Sequence, residues 1–397
     1  MTLPDDAVEA VEAVEAVEAV EAVEAVEAVE AVEAVEAVEA VEAVEAVDTE
    51  PSPTAYTVDD LARLRDARAR AVRWLSDRVG DDGRPEGADV ANSWWRAPWA
   101  LCLAGATDVA AAILGWAERE ALTDEGDLRP GPYGGDGPGS PIYHLSPLAI
   151  AAWLLARYDT ARTVNSRLAY FQDAETGGAY ELRDFRADPL QDLLKTGQLG
   201  ISALVTGQRA MAEGVYRWLT HAYELQPELP ARLYPARRGD QLVTDASAHE
   251  RLLRVVEFGQ PRQLYFYPGI AGAFLAGYAQ QTGDDAALKL GRAYLALTEG
   301  GTDAQFTDWA SVQICKFGWG AAAMHTADPD GGHLPWVVRM AEWFIRRQRP
   351  DGAWAPSSFM TPKPGLHDLY WKTAEHLMEM TYIELALTAS ARSTPTA

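Results

Sequence analysis

The sequence predicts an all-α fold, a six-hairpin α/α toroid (α/α barrel) in which helical hairpins close into a ring around a deep central cavity. From Tyr56 onward, Ala- and Leu-rich helical segments alternate with loops rich in Gly, Pro and Asp. Runs of β-branched residues with a period of two are missing, which argues against a sheet. The helical segments are of two kinds that alternate strictly, six of each.

One kind of segment carries charge on one face, and the other is smaller, more aromatic and almost uncharged. A helix that is apolar nearly all round is buried on both sides. Hairpins with one helix of each kind cannot bury their apolar faces alone, whereas a closed ring of six places the uncharged helices inside. An open solenoid is the alternative, but its inner row has no need to be so uncharged. The outer segments are 58–79, 108–120, 160–171, 208–224, 284–298 and 333–348, and the inner segments are 94–104, 142–157, 193–206, 266–281, 311–325 and 367–389.

The joints that follow inner segments repeat a short pattern. A glycine stands at Gly105, Gly207 and Gly283, and glycine accepts the left-handed conformation that ends many helices. Asp284, directly after the last of these, is suited to cap the next helix. The joints therefore support the same segment boundaries.

The first fifty residues differ from the rest of the chain. The triplet Val-Glu-Ala repeats from Ala7 to Val47, and a period of three carries the Val stripe around a helix axis instead of holding one face. Since Ala and Glu favour helix locally, we expect a disordered or transiently helical acidic tail over residues 1–54 and the toroid domain over residues 55–397. Recruitment of a partner by this tail is the alternative to a purely solvated segment.

Charge and composition exclude several classes of protein. The first fifty residues hold 17 of the 59 acidic residues and no Lys or Arg, which leaves 42 acidic against 34 basic residues, a net charge of -8. This balance argues against nucleic acid as a partner. We see no apolar run that spans a membrane, no secretory signal and, with two cysteines, no disulfide framework. We therefore expect a cytoplasmic protein.

Loops that follow outer segments carry a recurring turn. Residues 348–354, with the sequence QRPDGAW, resemble the Q-x-x-D/E-G-x-W/F turn of class II terpenoid cyclases and protein prenyltransferase β subunits. Residues 172–180 resemble it with an insertion, and residues 81–87 are a degenerate copy. The Gln can bind backbone groups at a neighbouring helix end, the Gly permits the turn and the aromatic ring packs below. The resemblance covers the organisation of residues 56–390 and implies the α/α toroid fold.

The catalytic motifs of those families are incomplete here. The cyclases protonate an alkene with D-x-D-D, and the nearest string, TVDD at residues 57–60, is better interpreted as the N-cap Thr57 followed by two acids on the helix dipole. The prenyltransferases bind zinc through a D-x-C stretch and a later D-x-Y-H, but Gln313 and Trp371 stand in place of two ligands. One Cys alone cannot hold zinc. The sequence therefore predicts no metal and no other cofactor, although His367 or His376 is available as a substitute ligand.

The candidate site lies at the N-terminal ends of the inner helices, where a toroid's cavity opens and the helix dipoles are positive. A buried Lys there needs a partner or loses its proton. The buried lysines are Lys195, Lys316 and Lys372, and their obvious partners are Asp192, Asp308 and Asp368. Such pairs serve either structure or catalysis. The candidate catalytic residues are Asp308, Asp368, His144, Lys316 and Asp192. The candidate substrate-binding residues are Trp94, Trp95, Arg96, Trp99, Tyr143, Lys195, Tyr265, Tyr267, Trp309, Cys315, His367, Tyr370 and Trp371.

Two of these candidates have specific alternatives. His144 begins an inner helix, where the dipole lowers the pKa of an imidazole and suits it as a neutral base or donor, whereas a His that merely caps a loop is the alternative. Cys315 as a nucleophile needs an adjacent base, and the sequence places none beside it.

Three functions fit this pattern. The leading one is a cofactor-independent lyase or isomerase, similar to terpenoid cyclases, that cyclises, dehydrates or shifts a double bond in a mostly apolar small molecule of secondary metabolism. Aromatic rings would stabilise positive charge, and an Asp/His or Asp/Lys pair would move the proton. The second is a carbohydrate-active hydrolase, lyase or epimerase, which needs paired carboxylates for glycosidic chemistry. The third is a non-catalytic binding or scaffold protein.

Overall fold

The computed structural model describes residues 56–247 and 250–393, and the expected acidic tail lies outside them. Within these residues the helices are α1 (Val58–Ser76), α2 (Ala97–Leu103), α3 (Thr107–Glu120), α4 (Ile142–Leu154), α5 (Tyr158–Tyr170), α6 (Leu193–Val205), α7 (Arg209–Glu224), α8 (Arg251–Arg254), α9 (Phe266–Thr282), α10 (Asp285–Glu299), α11 (Ala304–Thr307), α12 (Cys315–Ala327), α13 (Leu334–Arg347) and α14 (Leu366–Ser393).

The long helices form six hairpins that close into a ring, as the alternation of segments predicts. The inner helices α2, α4, α6, α9, α12 and α14 each pack on the next, and α14 packs on α2 to complete the circle. Each inner helix except α14 is covered by the outer helix that follows it in the chain, and α14 is covered by α1, the first outer helix. The predicted six-hairpin α/α toroid is therefore confirmed.

Glycine sets the distance between two inner helices. A Cβ atom built on Gly269 in α9 would lie 2.2 Å from the backbone carbonyl carbon of Lys316 in α12, and one built on Gly320 would lie 2.4 Å from the carbonyl oxygen of Gly269. No side chain is tolerated at these distances, so glycine permits the two backbones to touch. This contact holds the first turn of α12 close to α9.

The turn at residues 348–354 works through its Gln and its aromatic ring. Gln348 Nε2 donates to the carbonyl oxygens of Ala67 and Gly352 at 2.8 and 2.9 Å, and Trp354 Nε1 donates to a backbone carbonyl of α13 at 2.9 Å. The sequence predicted that the Gln would bind a helix end, but Ala67 lies in the middle of α1. The turn thus docks α13 on the neighbouring outer helix and helps to close the ring.

A fourth turn of this kind spans residues 122–128. Gly126 adopts a φ of 80°, and a Cβ atom there would lie 2.8 Å from the backbone of Thr163 in α5. Leu122 and Leu128 form a β-bridge across it. The turn lacks both the Gln and the aromatic residue of the motif, which is why the sequence pattern did not reveal it.

Helix caps follow the expected chemistry at both ends. The Thr57 hydroxyl accepts a hydrogen bond from Asp60 N at 3.2 Å, while Thr57 N donates to Asp60 Oδ2 at 2.9 Å. Gly283 ends α9 in the left-handed conformation, and Asp284 Oδ1 accepts from Ala286 N at 2.8 Å. The interpretation of TVDD as a helix start is therefore confirmed.

Short strands occur in the loops before α6 and α9, where the sequence predicted no sheet. In the described residues these are β1 (Leu190–Asp192), β2 (Arg232–Leu233), β3 (Ala236–Arg238), β4 (Gln241–Leu242) and β5 (Val256–Glu257). They pair antiparallel in the orders β1-β3-β4 and β2-β5. Strands of two or three residues are too short to show a period of two. Among the helices that the structure describes, none combines the length and apolar character that a membrane crossing requires.

Candidate active site

Four charged side chains meet between the inner helices, and we call Arg96, Lys316, Lys372 and Glu375 the central cluster. Lys316 Nζ lies 2.6 Å from Glu375 Oε1, and Lys372 Nζ lies 2.7 Å from Glu375 Oε2. Arg96 Nη1 also donates to Glu375 Oε1. Since Arg96 directly precedes α2 and the other residues belong to α12 and α14, the cluster ties three parts of the ring together.

The central cluster places three cations around one buried carboxylate. All four side chains are buried, and Glu375 is 0 % exposed. Burial alone would raise the pKa of Glu375, but the charges of Lys316, Lys372 and Arg96 hold it well below its usual range. Glu375 is therefore ionised at neutral pH, and its carboxylate contacts all three cations.

Aromatic rings surround one side of the central cluster. Trp95 packs edge-on against Tyr143 and against His144, each at a centroid distance of 5.0 Å. The Arg96 guanidinium lies 4.3 Å from the Trp95 ring. Trp99 packs on Trp319 of α12 at 5.8 Å. Trp95, Arg96, Tyr143 and Lys316, all predicted as site residues, are thus brought together.

His144 lies on the first turn of α4 and keeps part of its surface exposed. Its Nε2 atom is buried and has no hydrogen-bond partner among the described residues. Burial, followed by the charges of Lys195, Arg96 and Arg183, lowers its pKa to about 3. The imidazole is therefore neutral at physiological pH, because of burial and the nearby cations rather than the helix N-terminus on which the prediction rested.

A second group, which we call the Asp192 cluster, contains Glu181, Asp192, Lys195 and Arg254. Asp192 ends β1 and caps α6, and its Oδ1 accepts a hydrogen bond from Lys195 N at 2.7 Å. Lys195 Nζ donates to the Glu181 carbonyl oxygen at 2.6 Å. Both Arg254 Nη atoms donate to the Glu181 carboxylate, at 2.7 and 2.8 Å. The Asp192 carboxyl is therefore held at the junction of β1 and α6, near the charges of Glu181, Lys195 and Arg254.

The pKa of Asp192 suits it to exchange protons near neutral pH. Burial and then the charge of Glu181 raise this pKa to about 6, although Lys195 opposes the shift. Burial lowers the pKa of Lys195, against the charges of Asp192 and Glu181. The charge of Lys195 acts on both His144 and Asp192. A carboxyl of this kind can accept and return a proton, and a neutral imidazole can donate a hydrogen bond to a developing oxyanion.

The buried lysines of the central cluster have partners other than those expected. Lys316 and Lys372 pair with Glu375 instead of Asp308 and Asp368. Asp308 pairs with Arg262, at 2.9 Å from its Nε, and the following Trp309 is 66 % exposed. The physical reason is that α12 begins only at Cys315, so Asp308 and Trp309 lie in the loop between α11 and α12.

The first turn of α14 also lies apart from the central cluster. Asp368 accepts a hydrogen bond from Gly365 N at 2.8 Å, and His367 Nε2 lies 3.4 Å from its carboxylate. Nine residues, or about two and a half turns, separate the start of α14 at Leu366 from Glu375. Glu375 was not among the predicted site residues, because it lies deeper in the helix than the N-terminal ends on which the prediction rested.

Two predicted aromatic residues face the outer helices. Trp94 packs on Trp116 of α3 at a centroid distance of 4.9 Å, and Tyr370 packs on Trp74 of α1 at 6.2 Å. Both contribute to the packing between inner and outer helices.

The remaining predicted aromatic residues lie around the site. The hydroxyls of Tyr265 and Tyr267 donate to backbone carbonyls of the preceding segment. Trp371 lies 4.1 Å from the ammonium nitrogen of Lys372. Tyr267 therefore lies near Arg254 of the Asp192 cluster, and Trp371 lies beside Lys372 of the central cluster.

Cys315 has basic and acidic neighbours that the sequence did not indicate. Its Sγ, a ring nitrogen of His376 and a carboxyl oxygen of Glu379 all lie within 4.8 Å of one another. Burial raises the pKa of the Cys315 thiol well above its usual value. The thiol is therefore protonated, and it lacks the thiolate character that a nucleophile requires.

Solved structures of several enzymes have the same fold. A D-mannose isomerase is 12% identical, with a TM-score of 0.61 over 83% of this chain and 99% of that chain. The GH76A α-1,6-mannanase from Salegentibacter sp. HEL1_6 is 14% identical, with a TM-score of 0.55 over 81% and 99%. A type II terpene cyclase from Scytonema, solved as a variant with geranylgeranyl dihydroxybenzoate, is 14% identical, with a TM-score of 0.51 over 83% and 99%.

These likenesses establish the α/α toroid fold, and at such low identity they establish the fold alone. No protein-family model matches the chain, and no curated protein matches it in sequence. The predicted α/α toroid fold is therefore confirmed.

Proposed function

We propose that the protein is a lyase or isomerase that moves a proton next to a carbonyl group of a small substrate. The observation that carries this proposal is the environment of His144. A neutral imidazole stands at a helix N-terminus, against the Trp95 ring and within range of the charges of Arg96 and Lys195. Such surroundings stabilise negative charge that develops on a carbonyl oxygen.

Asp192 is the proton acceptor in this proposal. With a pKa of about 6, it is mostly ionised at neutral pH yet still basic enough to remove an activated proton. His144 donates a hydrogen bond from its neutral ring to the carbonyl oxygen, and the nearby cations offset the charge of the enolate. Return of the proton to a neighbouring carbon gives an isomerase, and departure of a leaving group gives a lyase.

The substrate has an apolar body next to the carbonyl group. Trp95 and Tyr143 offer ring surfaces for the apolar part, which agrees with the expectation of a mostly apolar ligand.

A sugar isomerase or epimerase is the second candidate, because the same acid–base pair also moves a proton beside a sugar carbonyl. Its support is the environment of Asp192, whose pKa the Glu181 charge helps to raise. Glycoside hydrolysis is less favoured, because Arg254 binds both oxygens of the Glu181 carboxylate, and that reaction needs a second carboxyl facing the substrate.

Deuterium exchange tests the proposal without a known product. The full chain is incubated in D2O with a panel of apolar keto acids and ketones, a panel of aldoses and ketoses, and an α-mannan, and mass spectrometry then reads deuterium next to each carbonyl. We expect incorporation in the first panel. Incorporation confined to the sugars favours the second candidate. Release of reducing ends from the mannan without any exchange contradicts proton transfer beside a carbonyl.

A further inference from the structure

A compact set of metal-ligand atoms lies between α12 and α14, and it has no part in the proposed proton transfer. Cys315 begins α12, and His376 and Glu379 are one turn apart on α14. One ligand atom from each lies within 4.8 Å of the other two, and all three side chains are buried. We propose that Cys315, His376 and Glu379 together bind a divalent ion of the zinc class.

The geometry is close to that of a metal site. Bonds of about 2.0–2.3 Å place the ligand atoms of tetrahedral zinc roughly 3.3–3.8 Å apart. The separations of up to 4.8 Å therefore close with side-chain movements on the order of 1 Å. The two ligands on α14 are three residues apart, a spacing that places them on one face of a helix. The third comes from the neighbouring helix.

The donor set selects the kind of metal. A thiolate, an imidazole and a carboxylate suit zinc and similar transition ions, whereas calcium and magnesium prefer oxygen ligands alone. Metal binding releases the proton of the Cys315 thiol, and the resulting thiolate and the Glu379 carboxylate together neutralise a divalent cation. A neutral site is favourable in a buried environment, where uncompensated charge is costly.

Two polar atoms in this set have no hydrogen-bond partner among the described residues, namely His376 Nε2 and Glu379 Oε1. His376 Nδ1 lies 3.3 Å from Glu379 Oε2, so each side chain has one engaged atom and one open atom. Buried polar groups are normally satisfied, because leaving one unsatisfied costs free energy. A metal ion bound by one nitrogen of His376 and one oxygen of Glu379 would engage polar groups that are only partly satisfied by the described residues.

Aromatic packing holds the imidazole in place. The rings of Trp343, Phe344 and Trp354 lie 5.8, 5.0 and 5.7 Å from the His376 ring, measured between centroids. A ligand whose rotamer is fixed by packing loses little entropy when the metal binds. Because the three residues are closed off from solvent, we expect the ion to enter while the chain folds.

Metal content and a cobalt spectrum test this site. The full chain is refolded from denaturant with Zn2+ or with Co2+, and loosely bound ions are then removed with a weak chelator. We expect about one ion per chain, and a thiolate-to-cobalt charge-transfer band in the Co2+ form. Cys315→Ser should abolish this band, and Glu379→Gln should lower the retained metal to near zero.

The control is Cys102→Ser, which removes the other cysteine of the chain, in α2, and should retain both the metal and the band. If Cys315→Ser fails to fold, Glu379→Gln and the wild-type spectrum decide. A refolded wild-type chain without retained metal overturns the proposal. So does equal loss of the band in the two cysteine variants. Because none of these readouts measures activity, failure here leaves the proposed proton transfer untouched.

Discussion

Glu375 in α14 accepts a hydrogen bond from Lys316 in α12 across 2.6 Å, and both side chains are shielded from solvent. Arg96 and Lys372 bind the same carboxylate. The carboxylate therefore serves as the common partner of three buried cations. This arrangement ties α12, α14 and the segment before α2 together beside the candidate active site.

Removal of the shared carboxylate should destabilise the fold strongly. In Glu375→Gln, three buried cations lose a carboxylate that all of them contact, and breaking a buried ion pair costs about 3–5 kcal/mol. The matched control is Glu384→Gln in the same helix, where Glu384 pairs with the more exposed Arg65 and Arg68 and the loss should be about 0–1 kcal/mol. Urea denaturation measures both. Equal losses would show that the central cluster contributes no special stability.

The turn at residues 348–354 offers a second test of the ring. Gly352 has a φ of 99°, and a Cβ atom there would lie 2.8 Å from the carbonyl oxygen of Arg70 in α1. Gly105 is also left-handed, with a φ of 88°, but a Cβ atom there meets nothing within 4 Å. Gly105→Ala should therefore cost only the conformational penalty of about 1–2 kcal/mol.

Gly352→Ala should cost more than Gly105→Ala, because the steric clash adds to the same conformational penalty. Thermal unfolding of the two variants gives the comparison. A smaller loss for Gly352→Ala would mean that the docking of this turn on α1 does not constrain the ring.

The fold was predictable because its signals are local. The inner segment at 266–281 corresponds to α9 (Phe266–Thr282), since its apolar run ends at Gly283, which has the expected left-handed conformation. The predicted segment at 311–325 begins too early, because α12 starts at Cys315. Val312 and Ile314 are apolar and buried, although they lie in the loop before α12. Periodicity alone cannot separate a buried loop from a helix end.

The site was predictable only in part. Arg96, Tyr143 and Lys316 were identified from their position at helix starts. Glu375 was not, although Lys372, Glu375 and Glu379 recur every three or four residues on one face of an otherwise apolar helix, and that signal was available. Which partners they meet depends on ring closure between α14 and α2, which no local pattern contains.

The pH dependence of the reaction should report Asp192. As the proton acceptor, Asp192 must be ionised, so kcat/KM should rise as pH increases through about 6 and then level off. His144, with a pKa of about 3, should add no second bend near neutral pH. The profile is measured with the substrate found by deuterium exchange. A decrease in kcat/KM through the same range would instead make protonated Asp192 the active form.

The role of His144 as a hydrogen-bond donor predicts a specific pattern of variants. His144→Phe removes the donor, and loss of one oxyanion donor lowers kcat by roughly 100- to 1,000-fold. His144→Gln keeps an N–H group at a similar reach and should recover part of that loss, with a smaller effect on KM in both variants. Steady-state kinetics on variants with wild-type circular dichroism makes the comparison. Identical losses in the two variants would exclude hydrogen-bond donation.

The most direct measurement is the rate of deuterium incorporation by Asp192→Asn, compared with wild type and with Asp188→Asn. Asparagine still caps α6, so the fold should persist. Asp188 lies four residues earlier and pairs with Arg238 near the surface, so its variant should exchange at the wild-type rate. We predict that Asp192→Asn incorporates deuterium at least about 100-fold more slowly than wild type, within the range of general acid–base catalysis. Exchange by Asp192→Asn at the wild-type rate would contradict the proposed function.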